Sequence, residues 1–264
     1  MNPTPFVLTE RTGPTTVVTL NRPEKRNALG VELLEALCAA IADAEADATQ
    51  RVLILRGAGP AFCAGLDLSE AADPARAQVS ATLIARALQM LSGARLVTIA
   101  VAQGAALAGG AGLLSACDFA VAADDTRVGY PEVRRGLVAG LVMTFLLRQV
   151  PERAAREILL TGEIFSAGQA REYGLVNRVV PAADLMAEAG KIAGAVLAGG
   201  PQAIAHTKQL LAELRPRPVQ DDLDRALAFH LSARNSAEAQ EGFAAFREKR
   251  APRWAADTKP PETG

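Results

Sequence analysis

Apolar positions in the first half of the chain follow two alternating patterns. Phe6–Leu8 and Thr15–Leu20 read as paired strands around the turn Arg11–Thr12–Gly13–Pro14. From Val31 to Asp47 the apolar residues Leu33, Leu34, Leu37, Ala40, Ile41 and Ala44 recur at helical spacing, which predicts a helix. Val52–Leu53–Ile54–Leu55 is apolar without a break and ends at Gly57, the pattern of a parallel strand buried on both faces. The alternation continues with a helix over Ala75–Leu91 and a strand over Val97–Val101. A glycine-rich stretch then opens a helix ending near Cys117, and Phe119–Ala122 is a further strand. Short apolar strand, loop and helix in repetition predict an α/β fold of stacked crossover units rather than a closed eightfold barrel.

Beyond about residue 140 the pattern becomes almost wholly helical. Segments near Leu141–Gln149, Glu152–Leu160, Ala167–Tyr173, Ala182–Leu197, Gln202–Leu214, Asp221–Ala233 and Ala237–Lys249 are separated by Pro151, Gly162, Gly174, Pro181, Pro201 and Pro216. The expected division is a core over residues 1–200 and a helical region over 201–264, serving self-association or capping the core. The polar, proline-rich end from Ala251 to Gly264 is expected to fray.

Composition narrows the class. Half of the 264 residues are apolar, only 4% are aromatic, and the formal net charge is −1. Such a balance supplies a full core and argues against nucleic acid or a membrane surface as partner. Cys38, Cys63 and Cys117 are odd in number and set among apolar residues, as buried thiols in a reducing cytoplasm would be. Met1–Glu10 lacks the charged start and apolar run of a signal peptide. The longest apolar stretch, Leu96–Cys117, is broken by Gln103, Gly104, Gly109, Gly110 and Gly112, and does not make the ~20 apolar residues of a membrane span.

Three stretches offer chemistry. Gly57–Leu68 (GAGPAFCAGLDL) follows a buried strand, where strand carboxyl ends in α/β folds present ligands, and Ala64 and Gly65 allow close backbone approach. Gln103–Leu113 also follows a buried strand and opens a buried helix, whose free N–H groups favour an oxygen gaining negative charge. In Val128–Leu137, the carboxylate of Glu132 lies among Tyr, Pro and Val, surroundings that raise a carboxyl pKa toward neutrality. Each has a plain structural alternative: a connecting loop, glycines for tight helix packing, and an ion pair of Glu132 with Arg134 or Arg135. His206 and His230 sit inside helices with no metal-like spacing and read as structural, Cys63 reads as a packing thiol, and no GxSxG elbow is present.

In this order and spacing, the three stretches resemble the enoyl-CoA hydratase/isomerase (crotonase) family. The likeness starts at Leu20–Asn21–Arg22–Pro23 with Asn27–Ala28–Leu29 and runs through Ala61–Asp67, Gln103–Gly112, Cys117–Asp118 and Pro131–Glu132. It ends with Leu160–Gly162, Ala170, Gly174–Val176 and Phe246–Arg250. The resemblance implies a spiral of ββα units with a C-terminal helical trimerisation region, assembled as a homotrimer or hexamer. It implies an oxyanion hole on the backbone N–H groups of Leu66 and Gly109. Contacts to the coenzyme A part of an acyl-CoA thioester are implied at Lys25, Arg26, Ala28, Ala64, Asp67, Leu68, Phe246 and Lys249. Coenzyme A enters as part of the substrate, and neither a separate cofactor nor a metal is expected.

One position departs from the hydratase pattern. Those enzymes carry two glutamates; the second matches Glu132, whereas the first, in G-G-G-x-E, falls on Gly112, with Ala108 at the first glycine. The resemblance to single-glutamate members, such as methylglutaconyl-CoA hydratase-like proteins, extends to Glu132–Val133–Arg134–Arg135–Gly136–Leu137–Val138. The expectation is hydration of a 2,3-enoyl-CoA with Glu132 as acid and base. Double-bond isomerisation, decarboxylation and non-catalytic acyl-CoA binding stay open beside it. Gly112 is expected to make room for a bulkier or carboxylate-bearing acyl group, with Arg134 or Arg135 orienting it.

Overall fold

The computed structural model describes residues 5–67, 69–70, 74–214 and 218–253, so Leu68 and the tail beyond 253 lie outside the described residues. Strands β1 (Val7–Thr12) and β2 (Thr15–Leu20) form a hairpin, and helix α1 (Val31–Ala46) follows. Strand β3 (Val52–Gly57) leads to α2 (Pro74–Gly93). Then β4 (Val97–Ala102) bends at Gly104 into β5 (Ala105–Leu107) and α3 (Gly109–Ala116), followed by β6 (Phe119–Ala123) and β7 (Arg127–Gly129). The second half holds α4 (Gly140–Gln149), α5 (Glu152–Thr161), β8 (Ile164–Ser166), α6 (Ala167–Glu172) and β9 (Arg178–Val180). Four helices close it: α7 (Leu185–Leu197), α8 (Pro201–Glu213), α9 (Val219–Arg234) and α10 (Ala237–Arg247).

A six-stranded sheet in the order β1-β2-β3-β4-β6-β9 is parallel except for the β1–β2 hairpin, and β5-β7-β8 form a second, three-stranded sheet. Each turn of the chain thus runs through the large sheet, bends into a second layer and returns by a helix, the expected spiral of ββα units. Strands β3 and β4 are buried on both faces. Leu53, Leu55 and Ala100 face the main core with α1, α2 and α3, while Val52, Ile54, Ile99 and Val101 meet Leu185, Ala189 and Ala193 of α7. That double coverage explains why these strands, Arg56 and Thr98 apart, are apolar along their length rather than at alternate positions.

The almost wholly helical second half needs a correction, because β8 and β9 lie within it; β5 and β7 were also not foreseen. Each is three residues long, too short for a period of two to stand out from its neighbours. The region after 200 does not stand apart from the core. Helix α9 packs on α4 and α2, places Leu223 in the main core, and ties Asp222 to Arg148 at 2.7 Å. Lys208 of α8 reaches the Asp118 carboxylate at 2.6 Å, which in turn accepts from the Thr98 N–H and hydroxyl.

Candidate active site

The carboxyl ends of β3 and β4 deliver two loops side by side. Cys63 N–H donates to Ala105 C=O (2.9 Å) and Leu107 N–H donates to Cys63 C=O (3.0 Å), zipping the loops together. On the other side, Leu29 N–H donates to Gly65 C=O and Asp67 N–H to Leu29 C=O. The neighbours of Leu66 are thereby engaged, and among the described residues no acceptor meets its own N–H. Gly109 opens α3 after Ala108, which gives no side-chain cap, so the Gly109 N–H is a free donor of the first helical turn. The two donors are close: a Cβ built on Gly109 would stand 3.8 Å from the Leu66 nitrogen.

Backbone conformation holds this geometry. Gly65 has φ +97°, and a Cβ there would meet the Leu107 carbonyl at 2.9 Å. Ala108 takes φ +48° and ψ −117°, a conformation that favours glycine. Ala108→Gly is therefore expected to stabilise the fold by about 1 kcal/mol, the released strain exceeding the added freedom of the unfolded chain. A urea midpoint that fell in this variant would contradict it. Buried Asn27 braces the first loop: its amide donates to the carbonyls of Ala58 (2.9 Å) and Ala61 (2.8 Å), and its Oδ1 accepts from Arg22 N–H.

Glu132 lines the same cavity as Leu66 and Gly109. The chain leaves β7, buries Tyr130 with its hydroxyl on Ala111 C=O (3.2 Å), and turns through a short 3-10 segment over Pro131–Arg135. This directs Glu132 into a cavity of about 90 Å³ that it shares with Leu66 and Gly109. Glu132 is 9% exposed, and among the described residues its Oε2 has no hydrogen-bond partner. Burial pushes its pKa up to about 7, against the smaller opposing effects of its own backbone hydrogen bond and the Arg135 charge. The expectation of a raised carboxyl pKa from the apolar neighbours agrees with this.

The remaining foreseen residues divide into groups. Ala64 lines the cavity, and its N–H donates to Arg26 C=O, so the exposed Lys25–Arg26 segment and the partly buried Ala28 form a rim beside it. Asp67 is not on the cavity wall. It pairs with Arg22 at 2.6 Å; burial opposes its ionisation, but hydrogen bonds from Ser69 and Arg22 outweigh this and hold its pKa below the ordinary value. Phe246 lies under the Arg135 guanidinium at 5.3 Å, and among the described residues no hydrogen bond, ion pair or ring contact ties Phe246 or Lys249 to Lys25–Ala28. Cys63 is buried, with its pKa pushed up to about 12 by desolvation, an inert packing thiol as expected.

One expectation is corrected. Gly112 opens no room: a Cβ there would strike the Val142 side chain and stand 3.4 Å from Leu88 Cδ2. Helix α4 leans so closely on α3 that Val142 occupies the space a side chain at 112 would need. Of the two arginines the sequence offered, Arg135 lines the cavity, while Arg134 donates to Thr161 C=O (3.0 Å) and approaches Glu163. Two further wall residues, His230 and Arg234 of α9, were not foreseen from the sequence. Their i, i+4 spacing was the available signal, since it sets both on one helix face.

The family model for enoyl-CoA hydratase/isomerase matches residues 10–257. An enoyl-CoA hydratase of Mycobacterium tuberculosis is 35% identical over 254 residues, covering 94% of this chain and 96% of that protein. The short-chain-enoyl-CoA hydratase of Clostridium acetobutylicum is 33% identical over 255 residues, covering 92% and 95%. A solved enoyl-CoA hydratase/isomerase from Xanthobacter autotrophicus Py2 superposes with a TM-score of 0.85 at 34% identity, covering 95% of this chain and 96% of that one. With the ββα spiral and the paired loops already in place, these matches over nearly the whole length mean that the chain belongs to the enoyl-CoA hydratase/isomerase (crotonase) family.

Proposed function

We propose that the protein adds water across the 2,3 double bond of a short enoyl-CoA, with Glu132 moving the proton. The observation that carries this is the buried carboxylate of Glu132, whose Oε2 has no hydrogen-bond partner among the described residues, in the same cavity as the N–H groups of Leu66 and Gly109. In the ionised form, Glu132 takes a proton from water as the water oxygen bonds to C3. The π electrons shift through C2 to the thioester oxygen, and the two N–H donors hold the resulting enolate. Protonated Glu132 then gives that proton to C2, so one water is added and the carboxylate is restored. Coenzyme A enters as part of the substrate, with Lys25, Arg26 and Ala28 at the rim to receive it. The exposed Leu210, Leu211 and Leu214 of the α8 segment favour self-association as a trimer or hexamer.

A second reading has its own support. Among the described residues the cavity wall carries a single carboxylate, because Val142 fills the space beside Gly112. One carboxylate suffices to take a proton from C2 and return it at C4, which is double-bond isomerisation. A matched pair of short 2-enoyl- and 3-enoyl-CoAs separates the two: a gain of one water on the 2-enoyl-CoA, read by mass spectrometry, supports hydration. A 2-enoyl-CoA that gains no water, beside a 3-enoyl-CoA converted at unchanged mass to the conjugated 2-enoyl isomer and read by its enoyl-thioester absorbance, sinks it in favour of isomerisation.

Both reactions begin from ionised Glu132, so kcat/KM is expected to rise with pH and level off above about 7. The half-rise should fall well above the 4.5 of an ordinary glutamate. A profile already flat from pH 5 would remove Glu132 as the base.

A further inference from the structure

The cavity has a second polar end that the chemistry above does not use. Arg234 is only 7% exposed, lines the cavity, and has the Phe243 ring 5.6 Å from its Cζ. Among the described residues, no carboxylate or carbonyl pairs with its guanidinium. One turn earlier on α9, His230 is 6% exposed; its Nδ1 lies 3.4 Å from Val138 C=O, while its buried Nε2 has no partner among the described residues. Glu132 shares the wall, but the cation acting on it is Arg135, and no acid offsets the burial of Arg234.

A buried guanidinium without an anion is expensive, and its five N–H donors match a carboxylate in a two-point contact. Since Leu66, Gly109 and Arg234 line one small cavity, a ligand anchored at the two N–H donors extends its acyl end among the α9 residues. We propose that the cavity selects a short acyl group that ends in a carboxylate, held by Arg234 with His230 beside it. This rests on the acyl-CoA reading above. Once a carboxylate is alongside, protonation of His230 at Nε2 supplies a further donor to it. Ile84, Leu141 and Val142 give the same cavity an apolar wall for the acyl chain.

Isothermal titration of the whole protein with two saturated acyl-CoAs of equal length, one ended by a carboxylate and one by a methyl group, tests the proposal. The coenzyme A phosphates are common to both ligands and cancel. The wild-type protein is expected to prefer the carboxylate-ended ligand by about a hundredfold, the scale of hydrogen bonds to a charged group. Arg234→Met is expected to bring the preference below about tenfold; Arg234→Gln serves if that variant does not fold. A wild-type preference under about tenfold, or one above it that survives loss of the guanidinium, overturns the proposal. Turnover of the matching enoyl-CoAs is read separately. A binding preference without product from either would remove the hydration reading and leave the carboxylate site standing.

Discussion

Glu132→Gln is expected to lower kcat by about a thousandfold on any acyl-CoA the protein turns over, with KM changed little. Glutamine keeps the shape and a polar end but cannot accept the proton from water or from C2. The same substitution should stabilise the fold, in a pH-dependent way. Below pH 4.5 the carboxyl is neutral in both folded and unfolded chains and carries no penalty. Between 4.5 and about 7 the unfolded chain ionises while burial keeps the folded one protonated, so the wild-type protein loses stability as pH rises. The loss is complete above about 7 and amounts to roughly 3 kcal/mol at most. Glu132→Gln should therefore melt higher than wild type at pH 8 and nearly level with it at pH 4. A variant that lost activity but gained no stability at pH 8 would show that Glu132 carries no burial penalty. A variant that kept wild-type turnover would remove it from the chemistry.

That combination was partly legible in the sequence. Tyr130, Pro131 and Val133 around Glu132 announced an apolar setting, and the glycine-rich stretches after two largely apolar strands announced where backbone donors would gather. Short-range patterns of this kind survive folding because a strand buried on both faces and a helix N-terminus are local facts. What the sequence could not show was which distant elements complete the wall. Gly112 looked like empty space, but Val142 of α4 fills it from thirty residues downstream. His230 looked like a structural histidine until α9, packing on α4 and α2, set it and Arg234 against the cavity. Strands β8 and β9 escaped notice because three residues hold too little periodic signal, and pairing with β7 and β6 makes them strands.

Gly109→Ala is expected to lower kcat/KM by about a hundredfold to a thousandfold while leaving the protein folded. The added methyl would stand 2.9 Å from Leu29 Cδ1, the far end of a side chain that can turn away, and 3.8 Å from the Leu66 nitrogen. A thioester oxygen bonded to both N–H groups needs about 2.7–3.1 Å to each nitrogen, so the methyl intrudes on the place it must occupy. Helix α3 should not suffer, since alanine favours a helix over glycine by up to about 1 kcal/mol. The neighbouring glycine provides the contrast. A Cβ at Gly110 would press on the Cys63 carbonyl and stand 2.8 Å from Cys63 Cβ, a fixed part of the zipped loops. Gly110→Ala is therefore expected to lower the melting temperature, whereas Gly109→Ala lowers turnover at an unchanged or higher one. Thermal melts and kinetics on the two variants check this directly. If Gly109→Ala kept kcat/KM within a few-fold of wild type, the thioester oxygen would have to be held by donors other than these two N–H groups.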